Sequence, residues 1–403
     1  MREGLSGQGS NSANVRHFNE RVILTALRKL GRASKGELAR HANLTSNTAG
    51  VIVRELEAQK LVRVEGKRTG MRGQPATVLS LNPEGAYAIG IKVGRRSVDA
   101  ILVDFCGNVI EQRRHERAFP LPDEAMILVH ADIHALRERI SASGAGRLAG
   151  LGVATPYNMG SWRRELDISS AAFEAWNRFD IAARLEDDTG LRVFHENDGT
   201  AAAVAELFNG RGRELDDFLY VFVGTAVGGG VILGGQYHRG VHGNAGDIGL
   251  MPVAPSRLAS APRPNGPYDI LLTRASISSL IRHLRGSGVA VGSRGDLENA
   301  MAGEGALVSG WLEDCVDALV VPLLSAARVL DVDAIVLHGD LPGSVLQDLA
   351  GRLAVALDQA APEARETPEL RLGTVGRWAA AIGAAILPLH LSFYPNSEIL
   401  LGQ

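Results

Sequence analysis

Thiols are scarce in this chain: Cys106 and Cys315 are the whole supply in 403 residues. Two cannot build a disulfide framework or a four-thiolate metal site, and such a chain suits a reducing cytoplasm. Long apolar runs are missing as well. The richest stretch, DALVVPLLSAARVL, is broken by Pro322, Ser325 and Arg328, so no membrane span is expected. The amino-terminal segment does not resemble a signal peptide. Polar and rich in Gly, Ser and Asn, residues 1–14 are expected to be a disordered tail. Acid is the other shortage, and it is local. Residues 1–82 hold 14 Lys and Arg against 6 Asp and Glu, whereas residues 83–403 hold 28 against 39. A basic block on an acidic body points to a nucleic-acid partner for the first part alone. The remainder is ordinary: 45% hydrophobic and 22% charged residues, in a chain long enough for two or three domains.

Residues 15–82 are expected to form one small domain. In VRHFNERVILTALRKL, Ile23, Ala26, Leu27 and Leu30 recur at helical spacing as one stripe expected to be buried, and Gly31 closes the run. Ser34 and Glu37 form a capping box for a second, short helix. Thr45 is the N-cap of a third, whose Ala49, Ile52, Val53 and Leu56 face inward and whose Ser46, Asn47, Gly50 and Arg54 face outward. A helix-turn-helix of this kind can lay the start of its last helix in a major groove of double-stranded DNA. Ser46 and Asn47 suit base edges, Asn in particular an adenine, and Arg54 suits a phosphate. Two short strands follow, LVRVEG and ATVLSLN. Their link, KRTGMRGQP, carries Lys67, Arg68 and Arg72 with no acid, the composition of a wing laid along the DNA backbone or minor groove.

From Asn82-Pro83 the pattern changes. AYAIGIKVG, SVDAILVDF and GNVIEQRRHE read as three consecutive strands, followed by a helix over about residues 122–143 and the strand GLGVAT. The helix DIAARLEDDTG, the strand LRVFHEND and the helix GTAAAVAELFNG come next. FLYVFVGTAVGGGVILGGQ then repeats the strand–glycine turn–strand plan, so two similar α/β lobes with a ligand cleft between them are expected. The glycines of residues 224–235 have the look of a loop that lets backbone N–H groups approach phosphate.

Several segments together carry a resemblance: GQGSNSANVRHFNERVIL, the RGQP wing, HENDGTAAAVAEL, GTAVGGGVILGGQYHRGVHGNAGDIG, DVDAIVLHGDLPG and GRWAAAIGAAIL. The chain resembles transcriptional regulators of the ROK (repressor, open reading frame, kinase) family over nearly its whole length. That resemblance implies a winged helix-turn-helix followed by a two-lobed actin/hexokinase-like (ribonuclease H-like) body over residues 83–403. It also implies a DNA-binding repressor of carbohydrate-related genes answering to a sugar-like effector, with an ATP-dependent sugar kinase carrying a DNA-binding domain as the alternative.

The residues discriminate between the two. Where the resemblance places an Asp and small turn residues for metal and phosphate, this chain has Lys92, Val93, Gly94, Arg95 and Arg96; the adenosine-side glycines are thinned to His338, Gly339 and Asp340. Phosphoryl transfer needs its positioning and metal-holding parts together, so no catalytic residue and no cofactor are expected, and the glycine run is expected to be a structural hairpin. By resemblance, Asn197 and Asp198 grip sugar hydroxyls, Asp247 stands for a sugar-binding glutamate, and Thr155 belongs to a loop over the sugar; Asp198 alternatively caps the following helix. The family's zinc-binding His is Leu250 here, and its Cys-rich loop is MPVAPSRLASAPRPNGPYD, with no cysteine or histidine. No metal is expected. His130 and His134, four residues apart, read as a helix face. A homodimer or homotetramer is expected, because one small reader spans too few base pairs.

Overall fold

The computed structural model describes residues 12–68, 76–117, 119–141, 144–159, 170–361, 363 and 366–395. Its amino-terminal head begins with α1 (Ser12–Leu30), so residues 12–14 of the expected tail are already helical; the rest of that tail lies outside the described residues. Gly31, at φ 69°, ends α1 in the left-handed region that favours glycine. A two-residue strand β1 (Ala33–Ser34) leads into α2 (Lys35–His41), where the Ser34–Glu37 capping box forms as the spacing predicts. The third helix, α3 (Ser46–Ala58), starts from Thr45, whose side chain accepts from Thr48 N. Strands β2 (Val62–Arg68) and β3 (Ala76–Leu81) pair antiparallel, and β1 adds to β3. Ile23, Leu27, Leu38, Ile52, Val53, Leu56 and Leu79 fill the space between helices and sheet, whereas Leu30, expected in the buried stripe, is exposed at the last residue of α1.

The change of composition near residue 82 is not a loose tether. Head residues such as Ile23 and Leu27 share one apolar cluster with Phe105, Phe208, Ile386 and Tyr394 of the body. Arg28 donates to the Phe105 carbonyl at 2.9 Å and lies over the rings of Phe105 and Phe208. Arg21 donates to the carbonyls of Leu391 and Tyr394, and Lys29 meets Asp216 at 2.6 Å.

The first lobe contains β4 (Tyr87–Val93), β5 (Ser97–Asp104), β6 (Val109–Glu116), α4 (Pro122–Glu138), β7 (Leu148–Thr155), α5 (Ser170–Asn177), α6 (Ile181–Thr189), β8 (Val193–Asn197) and α7 (Asp198–Asn209). Its sheet runs β6-β5-β4-β7-β8, antiparallel through the meander and parallel after the crossover. Helix α4 stops at Glu138, about a turn before the expected end, where Arg139 N turns back to Leu136 O.

The second lobe repeats the plan with β9 (Phe218–Val223), β10 (Val227–Leu233) and β11 (Gln236–His238). The short strands β12 (Pro252–Val253) and β13 (Asp269–Ile270) pair with each other. Helices α8 (Leu271–Arg274), α9 (Ile277–Gly286), α10 (Arg294–Gly303) and α11 (Gly305–Leu330) precede β14 (Ala334–Gly339). Helix α12 (Gly343–Ala360), strand β15 (Glu369–Leu372) and helix α13 (Ala379–Phe393) complete the described chain. The sheet order β11-β10-β9-β14-β15 mirrors the first lobe. Pro322 sits inside α11 without ending it, and among the described residues no helix is long and apolar enough to cross a membrane.

Candidate nucleic-acid interface and interlobe cleft

Burial of Ala49, Ile52, Val53 and Leu56 turns the opposite face of α3 to solvent. Ser46, Asn47 and Arg54 are exposed and Gly50 is half-buried. Neither Asn47 nor Arg54 makes a side-chain hydrogen bond or ion pair among the described residues. Val51, 37% exposed, stands on the same stripe and was not singled out from the sequence. The helical period that found the inner face, applied to the outer one, leads from Asn47 through Gly50 and Val51 to Arg54. An ion pair between Arg16 and Glu55 ties α1 to α3 and fixes the angle of that face.

The strand hairpin departs from expectation at one cation. Lys67 is exposed on β2, but Arg68 Nη1 meets Glu37 Oε1 at 3.1 Å. Glu37 is held first by the Ser34 backbone and hydroxyl and then by Arg68, and its carboxyl falls to about 2. It is therefore an anion at any working pH and partly neutralises Arg68. The acid that the linking segment lacks comes from α2. Arg72 lies outside the described residues.

Between the lobes opens a cleft of about 2290 Å3, lined among others by Asn197, Asp198 and Asp247. One alternative from the sequence is corrected here. Asn197, not Asp198, caps α7: its Oδ1 accepts from Gly199 N at 2.8 Å and Thr200 N at 3.3 Å. Asp198 is thereby left half-buried at the mouth of the helix with no hydrogen bond among the described residues. Asp247 receives Asn244 Nδ2 at 2.7 Å, yet burial, with Asp198 adding to it, pushes its carboxyl above the ordinary value. Thr155 stands behind the wall instead of in it. It is 7% exposed with its hydroxyl 2.8 Å from His195 Nε2, while Pro156, Tyr157 and Asn158 line the cleft. Next to His195, Glu196 pairs with Arg239 Nε at 2.8 Å, which joins the end of β8 to the loop after β11.

The glycine run is a hairpin whose tip is tied down. Ile277 N donates to Gly224 O at 2.8 Å and Ser278 Oγ to Thr225 O at 2.6 Å. A Cβ at Gly230 would come within 2.7 Å of the Ala203 Cβ and 3.0 Å of Gly199 O, so β10 needs glycine there to lie against α7. Packing, not phosphate, accounts for that glycine. Facing it, Lys92, Arg95 and Arg96 all line the cleft. Arg95 donates to the carbonyls of Asn158 and Met159 and so holds the loop after β7.

Among the described residues no group of three or more His, Cys, Asp or Glu is placed to hold a metal. His130 pairs with Asp188 and His134 with Glu138, an exposed helix face. Leu250 and the segment from Met251 to the β13 strand offer neither thiolate nor imidazole, so the donors present do not fit zinc.

Protein y4fQ of Sinorhizobium fredii is 26% identical over 381 residues, covering 94% of this chain and 93% of its own. The xylose repressor of Bacillus subtilis is 27% identical over 240 residues, and the match spans 59% of this chain and 61% of that protein. The crystal structure of a ROK family transcriptional regulator, a homologue of the Escherichia coli MLC protein, superposes with a TM-score of 0.69. It covers 97% of this chain and all of that one at 18% identity, a likeness of fold from head to body. The ROK family description matches residues 88–390. The chain belongs to the ROK family.

Proposed function

We propose that this protein is a DNA-binding transcriptional repressor of carbohydrate-related genes, with a winged helix-turn-helix over residues 15–82 and an effector-binding body over residues 83–403. The observation that carries the proposal is the uncommitted pair Asn47 and Arg54 on the outer face of α3, in a basic head packed on the body through one apolar core. The names of the repressor and regulator relatives agree with it. Ser46, Asn47 and Gly50 meet base edges, and Arg54, Lys67 and Arg72 meet phosphates. Arg68 does so at the expense of Glu37. A homodimer places two heads on paired half-sites.

The effector takes the cleft, with its hydroxyls on Asn197, Asp198 and Asp247 and its loop backed by Thr155. Helix α13 offers a mechanical path: Ala379 and Ala380 line the cleft, and the carbonyls of Leu391 and Tyr394 at its far end hold Arg21 of the head. A tenfold change in operator affinity needs only about 1.4 kcal/mol of effector preference for one lobe arrangement. The body is not a kinase in this reading, because Lys92 stands where the family resemblance calls for the metal-supporting carboxylate.

Two measurements test the proposal. The full chain, titrated against its own promoter fragment at low ionic strength, should bind in preference to unrelated duplex; indifference to the fragment refutes it. Incubation with hexoses and labelled ATP should yield no sugar phosphate; turnover would restore the kinase.

A further inference from the structure

The outer face of α3 carries no acid. Asn47, Gly50, Val51 and Arg54 recur along it at i, i+3, i+4 and i+7, and the nearby Glu55 is held toward α1 by Arg16. Charge points to the occupant: residues 1–82 hold 14 Lys and Arg against 6 Asp and Glu, the complement of a nucleic-acid backbone. One member of the face does not suit a helix that only meets water. Val51 is apolar, β-branched and 37% exposed, and neither helix propensity nor the core of the head asks for it there. Among the described residues the head's other exposed large apolar side chains sit elsewhere: Val15 and Leu30 in the end turns of α1, and Val64 on β2.

The residue before Val51 removes the obstacle to close approach. Gly50 has no side chain, and nothing lies within 4 Å of where its Cβ would be. The main chain of α3 is therefore bare between Asn47 and Arg54, and a partner can come closer there than over the other residues of the face. Packing within the head does not need this glycine, unlike Gly230 in β10. Laid in a major groove, such a helix brings Val51 down onto base edges. Those edges present a single apolar group, the C5-methyl of thymine, amid hydrogen-bond donors and acceptors. Only against that methyl does a valine shed its water without stranding a polar group of the base.

We infer that Val51 is a specificity-determining residue that reads a thymine methyl in the operator, with Gly50 as the point of closest approach. This rests on the repressor reading and specifies part of its half-site. Asn47 and Val51 are separated by about 6 Å along the helix axis, and successive base pairs by about 3.4 Å. The thymine therefore lies within about two base pairs of the adenine that suits Asn47.

The test uses the full chain and the promoter segment it protects, cut to a short duplex and titrated by fluorescence anisotropy. Each thymine is replaced in turn by deoxyuridine, which deletes the methyl and keeps the base pair. At one position of the half-site the swap should weaken binding about fourfold, the worth of one buried methyl group. Val51→Ala should lose a similar factor on the parent duplex and no longer distinguish thymine from uracil at that position. Gly50→Ala should melt no lower than the parent chain, since its methyl meets nothing in the head, yet bind the operator more weakly by roughly tenfold. Gly351→Ala, the same exchange in α12, should leave operator binding as it is. The inference is overturned if no uracil weakens binding beyond about twofold, if Val51→Ala keeps the uracil penalty, or if Gly50→Ala binds like the parent. A parent chain that still prefers its promoter to unrelated duplex in those cases leaves the repressor reading standing, whereas one without that preference removes both.

Discussion

Exchanging one glycine for alanine should have opposite consequences at Gly383 and Gly351. Gly383 lies in α13 where that helix crosses α7, and a Cβ there would fall far inside contact distance of the Ala201 carbonyl oxygen. The obstacle is main chain in a buried helix, so no rotamer change removes it. The same seam is tight elsewhere: Gly152 faces the Ala384 carbonyl and Gly90 faces that of Ala381. Parting the helices would therefore disturb the sheet of the first lobe as well. Overpacking of a well-filled core costs about 1–3 kcal/mol, and the rigid obstacle puts Gly383→Ala near ~3 kcal/mol. At roughly 2–4 °C per kcal/mol for a large domain, Tm should fall by roughly 6–12 °C. Gly351 is also helical, in α12, but nothing lies within 4 Å of where its Cβ would be. There the change removes only unfolded-chain freedom and should stabilise by about 0.5–1 kcal/mol. Thermal unfolding followed by circular dichroism decides the matter. A Gly383→Ala protein melting within a degree of the parent, or a Gly351→Ala protein melting lower, would refute the packing argument.

Arg274 is 2% exposed and reaches Asp314 at 2.7 Å, Asp317 at 2.8 Å and the Ala254 carbonyl at 2.8 Å. Arg274→Met should cost about 3–5 kcal/mol in urea unfolding by stranding a buried carboxylate, and adding Asp314→Leu should recover part of it. Asn47→Ala should weaken operator binding by about 1–3 kcal/mol and relax base preference at one position. Arg54→Ala should weaken binding to all sequences and lower the salt slope by about 0.9, both read by fluorescence anisotropy. Glu196 has its carboxyl raised by burial to about 7, against an ordinary 4.5, with Arg239 opposing. An acid whose folded pKa is raised contributes stability below the unfolded value that is lost as pH climbs through the folded one. The Tm of the parent relative to Glu196→Gln should therefore decline between pH 4.5 and 7; a difference independent of pH would count against the buried carboxyl.

Much of the head was legible from the chain alone, because its determinants are local. A stripe of Ala49, Ile52, Val53 and Leu56, a cap at Thr45 and a box of Ser34 with Glu37 each act within about a turn of helix. The repeated strand–turn–strand plan of the two lobes, the lysine at residue 92 and the want of zinc ligands after Leu250 are also properties of the sequence itself. Folding decided what depends on partners distant along the chain. Glu37 and Arg68, 31 residues apart, become a pair only when the strand hairpin lies against α2. Asn197 takes the cap and frees Asp198 because the chain enters α7 from β8 with Asn197 extended, at φ −61° and ψ 143°. Gly230 and Gly383 are fixed by neighbours in other elements. Periodicity and capping are written within a few residues; close approach and charge pairing belong to surfaces that exist only once the sheets and helices have packed.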